Sequence, residues 1–476
     1  MKFKGRSLDF SLFCLYFFYG LVFALSVAGF TAYKGQGAIY ILFSIVSNAL
    51  LYFGFRKNAI FFDTFIGVFL WLGFWFKLTL RNVFTSGLFS EAVGQFDGSG
   101  AAFDKALLVA SCGLSGLLAA SFFRRKLSLN YPEKIDGVAQ LGLLSFYQNH
   151  RMTVLAGFLT LIAIVAVTNA YFGIYQRGMI TKTILPFGLN GIYKWLLMFG
   201  LASFSALILR FEFEINKKTS LFIIILSLLE SFVSNVSLLS RGMILNVGAL
   251  LYGVMVSLKL NSIKSSVRFF VATMIIFGVL FISSVYVVNY LRTIVFLDHQ
   301  YSTQAMTTTQ AMTTALFVDR WVGMEGVMAI SSNPGLGWDL WETAWNESYN
   351  ENEFSFYDSL IGSPYAEVDK TKHHFISLPG IIAFFFYPGS FLFLFLSLFA
   401  LGAIAATIEF SAYKLGGKNV ILCSLLAQVV AYRFSSFGYV PGQSYLLFGS
   451  IYLNLFIIYF ANKFIVYWHS RAISVL

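Results

Sequence analysis

Apolar runs of about twenty residues recur from one end of this chain to the other. A helix needs ~20 consecutive apolar residues to cross the hydrocarbon of a bilayer, and a spanning segment must satisfy its backbone polar groups internally. Such runs fix the class as an all-α polytopic membrane protein. Charged residues make up 12% of the 476, against about 25% in soluble domains, which excludes an ordinary soluble fold.

The runs place spans at 10–30, 38–55, 60–80, 106–123, 152–172, 195–211, 219–236, 242–258, 269–290, 390–409, 419–435 and 443–462, twelve in all. Lys2, Lys4 and Arg6 precede the first run like the basic region of a signal peptide. The run is long and a second span follows at once, so it reads as an uncleaved signal-anchor helix with its start inside. Alternate loops then carry Arg56 and Lys57, Arg124 to Lys126, Lys217 and Lys218, Lys259 to Arg268, and Lys414 and Lys418. Twenty of the 33 Lys and Arg fall on that side, as the positive-inside rule requires, so both termini are expected to be cytoplasmic. The net charge of +11 sits at span ends and does not imply nucleic acid. Cys14, Cys112 and Cys423 all lie in apolar runs, which leaves neither a disulfide framework nor a CxxC metal site.

The chain divides into spans one to nine (1–291), a long outward loop (292–389) and the last three spans with a tail (390–476). The loop contains a tandem hexapeptide, TQAMTT at 303–308 and again at 309–314, typical of a tolerant surface segment. Two helices are expected in it. Ala315–Ile330 puts Phe317, Trp321, Met324 and Met328 on one face, and Trp338, Trp341 and Trp345 fall at i, i+3 and i+7 of a second. The run 379–386 is apolar but too short to span, and reads as interfacial or re-entrant.

Thirteen cations do not lie inside. Lys77, Arg81, Arg177, Lys182, Arg241, Arg320 and Arg433 fall at or near outward ends of spans or in outward loops, a candidate positive rim around a cavity. Forked Arg donors match phosphate oxygens, while snorkelling to the headgroups is the structural alternative for any one of them. Arg241 occupies a Ser240-Arg241-Gly242 turn tied between two spans. His373 and His374 precede the re-entrant run, where a neutral imidazole can take a proton from a hydroxyl. No further ligands at usable spacing make them a metal site, and no cofactor is implied. The Trp338/Trp341/Trp345 stripe, set among carboxylates, suits a sugar ring, or else forms the loop's own core.

Several stretches resemble the bacterial O-antigen polymerase (Wzy) family, within the wider O-antigen ligase and polymerase superfamily of C-type glycosyltransferases. They are WLGFWFKLTLR at 71–81, FGIYQRG at 172–178 with an Arg-x10-Gly spacing from Arg177 to Gly188, Ser240-Arg241-Gly242, FVDRWVGMEGVM at 317–328, and His374 with Leu378. The long loop has no second Arg-x10-Gly, since Ser331 and Thr303 stand where Gly would follow Arg320 and Arg292, so a two-loop scheme is not carried over.

The resemblance implies transfer of oligosaccharide repeat units between undecaprenyl-diphosphate carriers at the periplasmic face of a bacterial inner membrane. Arg177 and Arg241, with Arg320 and Arg433, would neutralise the diphosphate leaving group, and His374 or His373 would act on the acceptor hydroxyl. A flippase and a chain-length regulator are the implied protein partners. An O-antigen ligase, or a flippase or transporter of lipid-linked oligosaccharide, is the alternative. Charge gathered at the outer rim and one long external loop favour the polymerase.

Overall fold

The computed structural model describes residues 10–57, 59–127, 131–132, 141–216, 221–240, 242, 244–260, 267–296, 318–350, 353–363 and 374–474. Among them there is helix and no strand. The helices are α1 (Phe10–Ala32), α2 (Gly37–Gly54), α3 (Phe61–Thr85), α4 (Gly100–Lys126), α5 (Leu141–Asn149), α6 (Arg151–Phe172), α7 (Pro186–Asn216), α8 (Leu221–Ser237), α9 (Ile244–Leu260) and α10 (Val267–Phe296). The outer loop holds α11 (Met324–Ser331), α12 (Trp338–Trp345), α13 (Phe356–Ile361) and α14 (Ile381–Phe384), and α15 (Phe391–Leu415), α16 (Val420–Ser435) and α17 (Ser444–Ser474) follow. Nine described helices are long and apolar enough to cross a membrane. Three shorter apolar helices, α8, α9 and α16, stand at the other expected spans. The chain is thus a multi-pass helical membrane protein.

Burial separates core helices from lipid-facing ones. α3, α4 and α7 are mostly enclosed, α16 almost entirely so, and α1 and α17 are mostly exposed. Enclosed helices carry polar groups that find partners within the bundle. The Trp75 indole N–H donates to Ser44 Oγ at 3.1 Å and the Trp71 N–H to Asn48 Oδ1 at 2.9 Å. Asn419 caps α16 by accepting from the N–H groups of Ile421 and Leu422.

Charged ties gather at one end of the bundle. Asp63 at the start of α3 pairs with Arg124 at the end of α4, and Glu212 near the end of α7 with Arg151 at the start of α6. Glu409 of α15 accepts from the backbone N–H of Phe61 and Phe62, both at 2.8 Å, and from the Tyr131 hydroxyl. The outer loop packs over the opposite end.

α3 is not regular. Trp71–Phe76 forms a π-helical turn between two α-helical halves, and Leu196–Gly200 does the same in α7. π turns of this kind concentrate at functional sites. In α3 the wide turn carries Gly73, which the loop backbone approaches closely. A Cβ on Gly73 would lie 2.3 Å from Val322 O, and one on Gly323 would lie 2.2 Å from Gly73 O. Only two bare backbones fit there.

The loop helices differ in part from expectation. The first begins at Met324 rather than near 315. Trp321 lies ahead of it, stacked on Phe69 of α3 with ring centroids 5.7 Å apart. Residues 315–317 and the tandem hexapeptide are outside the described residues. Trp338–Trp345 is helical as the spacing predicts. The short apolar run is buried throughout, with Ile382, Ala383 and Phe384 fully enclosed against α4 and α11. It is an inserted piece whose backbone is covered by protein, the condition under which irregular chain is tolerated near a bilayer.

Candidate functional site

Three loops and one helix end converge at the end of the bundle opposite those charged ties. After α6, Asn169 fixes the turn at 173–176 by accepting the Tyr175 N–H and donating to Tyr175 O and Ser237 O. The Arg177 N–H then donates to Leu238 O at 2.9 Å, which ties this loop to the α8–α9 turn. In that turn Gly242 is flanked by two guanidiniums. A Cβ placed on it would lie 3.3 Å from Arg177 Nη1 and 3.8 Å from Arg320 Nη2. Tyr432 of α16 stands beside both arginines, and Tyr175 beside both Arg177 and Arg433.

Arg320 is positioned from behind. Lys77 of α3, fully buried, donates to the backbone carbonyls of Asp319 and Trp321, the residues on either side of Arg320, and pairs with Glu325 at 2.9 Å. One turn on, Arg81 pairs with the Asp319 carboxylate. The expectation that Lys77 and Arg81 belong to a free positive rim is therefore corrected. A cation enclosed among helices requires a partner, and both find theirs in the outer loop. They clamp the segment that presents Arg320.

The third loop brings the histidine. The His374 N–H donates to Gly178 O at 3.2 Å, the residue after Arg177. His374 Nε2 lies 3.2 Å from the Tyr439 hydroxyl, and the Tyr349 ring packs against both. Arg433 joins from α16, where it donates to Tyr439 O and Ser444 Oγ and lies 5.6 Å from the Phe437 ring centre. Glu347 holds this corner by accepting the Phe356 and Val440 N–H groups, and its burial pushes its pKa up.

The electrostatics set this cluster apart. The enclosed cations Lys77, Arg81, Arg124 and Arg210 each form an ion pair, while half-buried Arg125, at the far end of the bundle, forms none among the described residues. Among the described residues Arg177, Arg320 and Arg433 form none. Burial pushes the Arg320 pKa down, and the Tyr432 phenol only partly offsets this. Burial also opposes the Arg177 charge, but the phenols of Tyr432 and Tyr175 outweigh it and hold its pKa above the ordinary value. The two guanidiniums beside this glycine repel, and the Arg177 charge adds to burial in holding the Arg320 pKa down. An anion between them would remove that cost.

The remaining expected site residues are placed otherwise. Arg241 and His373 lie outside the described residues, although the neighbours Ser240, Gly242 and His374 place their loops at the cluster. Lys182 is exposed, and its side chain lies along Gly173. The tryptophan stripe touches the protein along one edge, Trp338 and Trp341 edge-on to Phe393 and Trp345 against Phe384, while Trp338 and Trp345 keep much of their surface open. The stripe anchors α12 to α14 and α15 and still presents Trp338 and Trp345 at the surface. Tyr175, Tyr432 and Tyr439 were not expected, since one tyrosine among 25 carries no signal in the sequence.

No family model, curated protein or solved structure matches the chain. Fold and site together define a multi-pass helical membrane protein whose arginine cluster has no carboxylate among the described residues.

Proposed function

We propose that this chain is a membrane glycosyltransferase of the O-antigen polymerase type, with twelve spans, both termini cytoplasmic and the arginine cluster facing the periplasm. It would join oligosaccharide repeat units carried on undecaprenyl diphosphate. The observation that carries this reading is the set of three enclosed arginines with no carboxylate among the described residues. Enclosed positive charge without a neutralising carboxylate is costly, and a diphosphate supplies two bidentate acceptors for forked guanidiniums.

In this reading the acceptor sugar oxygen forms a bond to the anomeric carbon of the donor, and the bond from that carbon to the diphosphate oxygen breaks. Arg177 and Arg320 neutralise the charge that develops on the departing diphosphate, a role for fixed donors in a water-poor site. The acceptor proton passes to His374 Nε2 through the Tyr439 hydroxyl beside it. The polyprenyl tails lie against the exposed apolar faces of the outer helices.

Deletion of the gene tests the reading. A polymerase loss leaves lipopolysaccharide capped with a single repeat unit. Ligase loss leaves bare core with lipid-linked polymer accumulating, and flippase loss gives neither pattern. A normal ladder after deletion would overturn the proposal. In properly inserted protein, Arg177→Ala and Arg320→Ala are each expected to lower polymer formation at least ~100-fold, the scale of removing one charge-stabilising donor.

A further inference from the structure

A second site lies at the opposite end of the bundle, independent of the arginine cluster. A cavity of about 160 Å³ opens between α2, α3, α4 and α15 where the basic ties gather. Its walls are mostly apolar, among them Phe53, Ile66, Leu117, Phe399 and Phe410. Cavities of roughly 150 Å³ lined by such residues stay dry and accept apolar guests.

Its rim is cationic beyond what the protein neutralises. Asp63 is the one carboxylate in the lining, and it is already taken by Arg124 at 2.6 Å and the Ser121 hydroxyl at 2.7 Å. Two more guanidiniums, outside the lining itself, lie on the ring of the lining residue Phe53, Arg56 at 4.2 Å and Arg125 at 5.5 Å from its centre. Arg125 donates one Nη2 bond to Phe53 O, and its buried Nε has no hydrogen-bond partner. An apolar slot between membrane helices, beside two guanidiniums that form no ion pair among the described residues, has the chemistry of a lipid with one negative headgroup and a chain. Basic pockets between helices bind anionic headgroups in this way.

We propose that this cavity is a binding site for one anionic phospholipid, with its phosphate against Arg56 and Arg125 and the start of an acyl chain in the slot. The site is separate from the polyprenyl carrier of the transfer reaction.

Native mass spectrometry of the purified full chain in a neutral detergent tests this, with phosphatidylglycerol and phosphatidylcholine of matched chains as probes. The wild type is expected to retain one phosphatidylglycerol at least ~10-fold over phosphatidylcholine. Arg56→Gln/Arg125→Gln is expected to bring the two lipids within about twofold. Ala403→Trp, which narrows the slot at an exposed wall position and leaves every charge in place, is expected to lower retention of the bound lipid. Equal retention of both lipids by the wild type would overturn the proposal, as would an unchanged preference in the double arginine variant or unchanged retention in Ala403→Trp. Displacement by millimolar inorganic phosphate would show that a soluble anion suffices. Displacement by equimolar undecaprenyl phosphate would assign the slot to the carrier, and either result would also overturn it.

Discussion

Lys77 offers the most quantitative handle on how the bundle holds its loop. Its ammonium is fully buried and makes a salt bridge to Glu325 together with bonds to the carbonyls of Asp319 and Trp321. Lys77→Met keeps the stem volume but leaves the Glu325 carboxylate enclosed and two carbonyls without a donor. Breaking a buried pair from one side costs about 3–5 kcal/mol, because the remaining charge is uncompensated. In Lys77→Met/Glu325→Leu that charge is gone, and only the carbonyls remain short of a donor, at ~1–3 kcal/mol. The double variant should therefore be more stable than the single one by about 2 kcal/mol. Equilibrium unfolding in mixed detergent, followed by tryptophan fluorescence, measures both. A single variant within ~0.5 kcal/mol of wild type, or a double variant less stable than the single, would refute the clamp. Because the lost bonds flank Arg320, both variants are also expected to lose polymer formation, and the double variant separates that loss from unfolding.

Further expectations follow from neighbouring features. Gly323→Ala forces a methyl to within 2.2 Å of Gly73 O; it should destabilise loop docking by about 1–3 kcal/mol and speed tryptic cleavage after Arg320. Glu91 keeps open surface but stands among protein, and burial with the Glu325, Asp319 and Asp358 carboxylates, only partly offset by Lys77, pushes its pKa up to about 7. A carboxyl raised on folding binds protons more tightly in the folded state. The stability it contributes is full at low pH and is lost as pH rises from about 4.5 to about 7. Glu91→Gln should flatten that fall in thermal-unfolding curves, and a slope equal to that of wild type would count against the environment described. Tyr439→Phe should reduce transfer and shift its pH profile if the hydroxyl serves His374, whereas a structural ring would leave the profile in place.

The bundle was legible because its determinants are local: run length and the side of each basic cluster are read without knowing any partner. Trp338–Trp345 and the short apolar run were legible for the same reason. The arginine cluster was partly legible, since Arg177, Arg320, Arg433 and His374 each stand near an outward span end or in an outward loop. Their partners were not. Glu325 lies 248 residues from Lys77, and no spacing rule joins them. The result was two cations assigned to a ligand that the protein itself neutralises. The π turn at Trp71–Phe76 adds a second obstacle, because a 3.6-residue period carried from Phe61 through Thr85 puts Lys77 on the wrong face.

The buried run at α14 has a consequence for how the chain is made. It is too short to be recognised as a span during insertion, so it reaches its place only once its walls exist. One wall is late. The Gly380 N–H donates to Phe437 O at 3.0 Å, and a Cβ on Gly438 would lie 2.3 Å from Pro379 Cγ, so the piece rests on the turn that follows α16. Synthesis must run past residue 438 before the outer loop can close. Until then the bundle stands open above Arg177 and Arg320, and a chain released short of that turn would be inserted yet permanently unlatched.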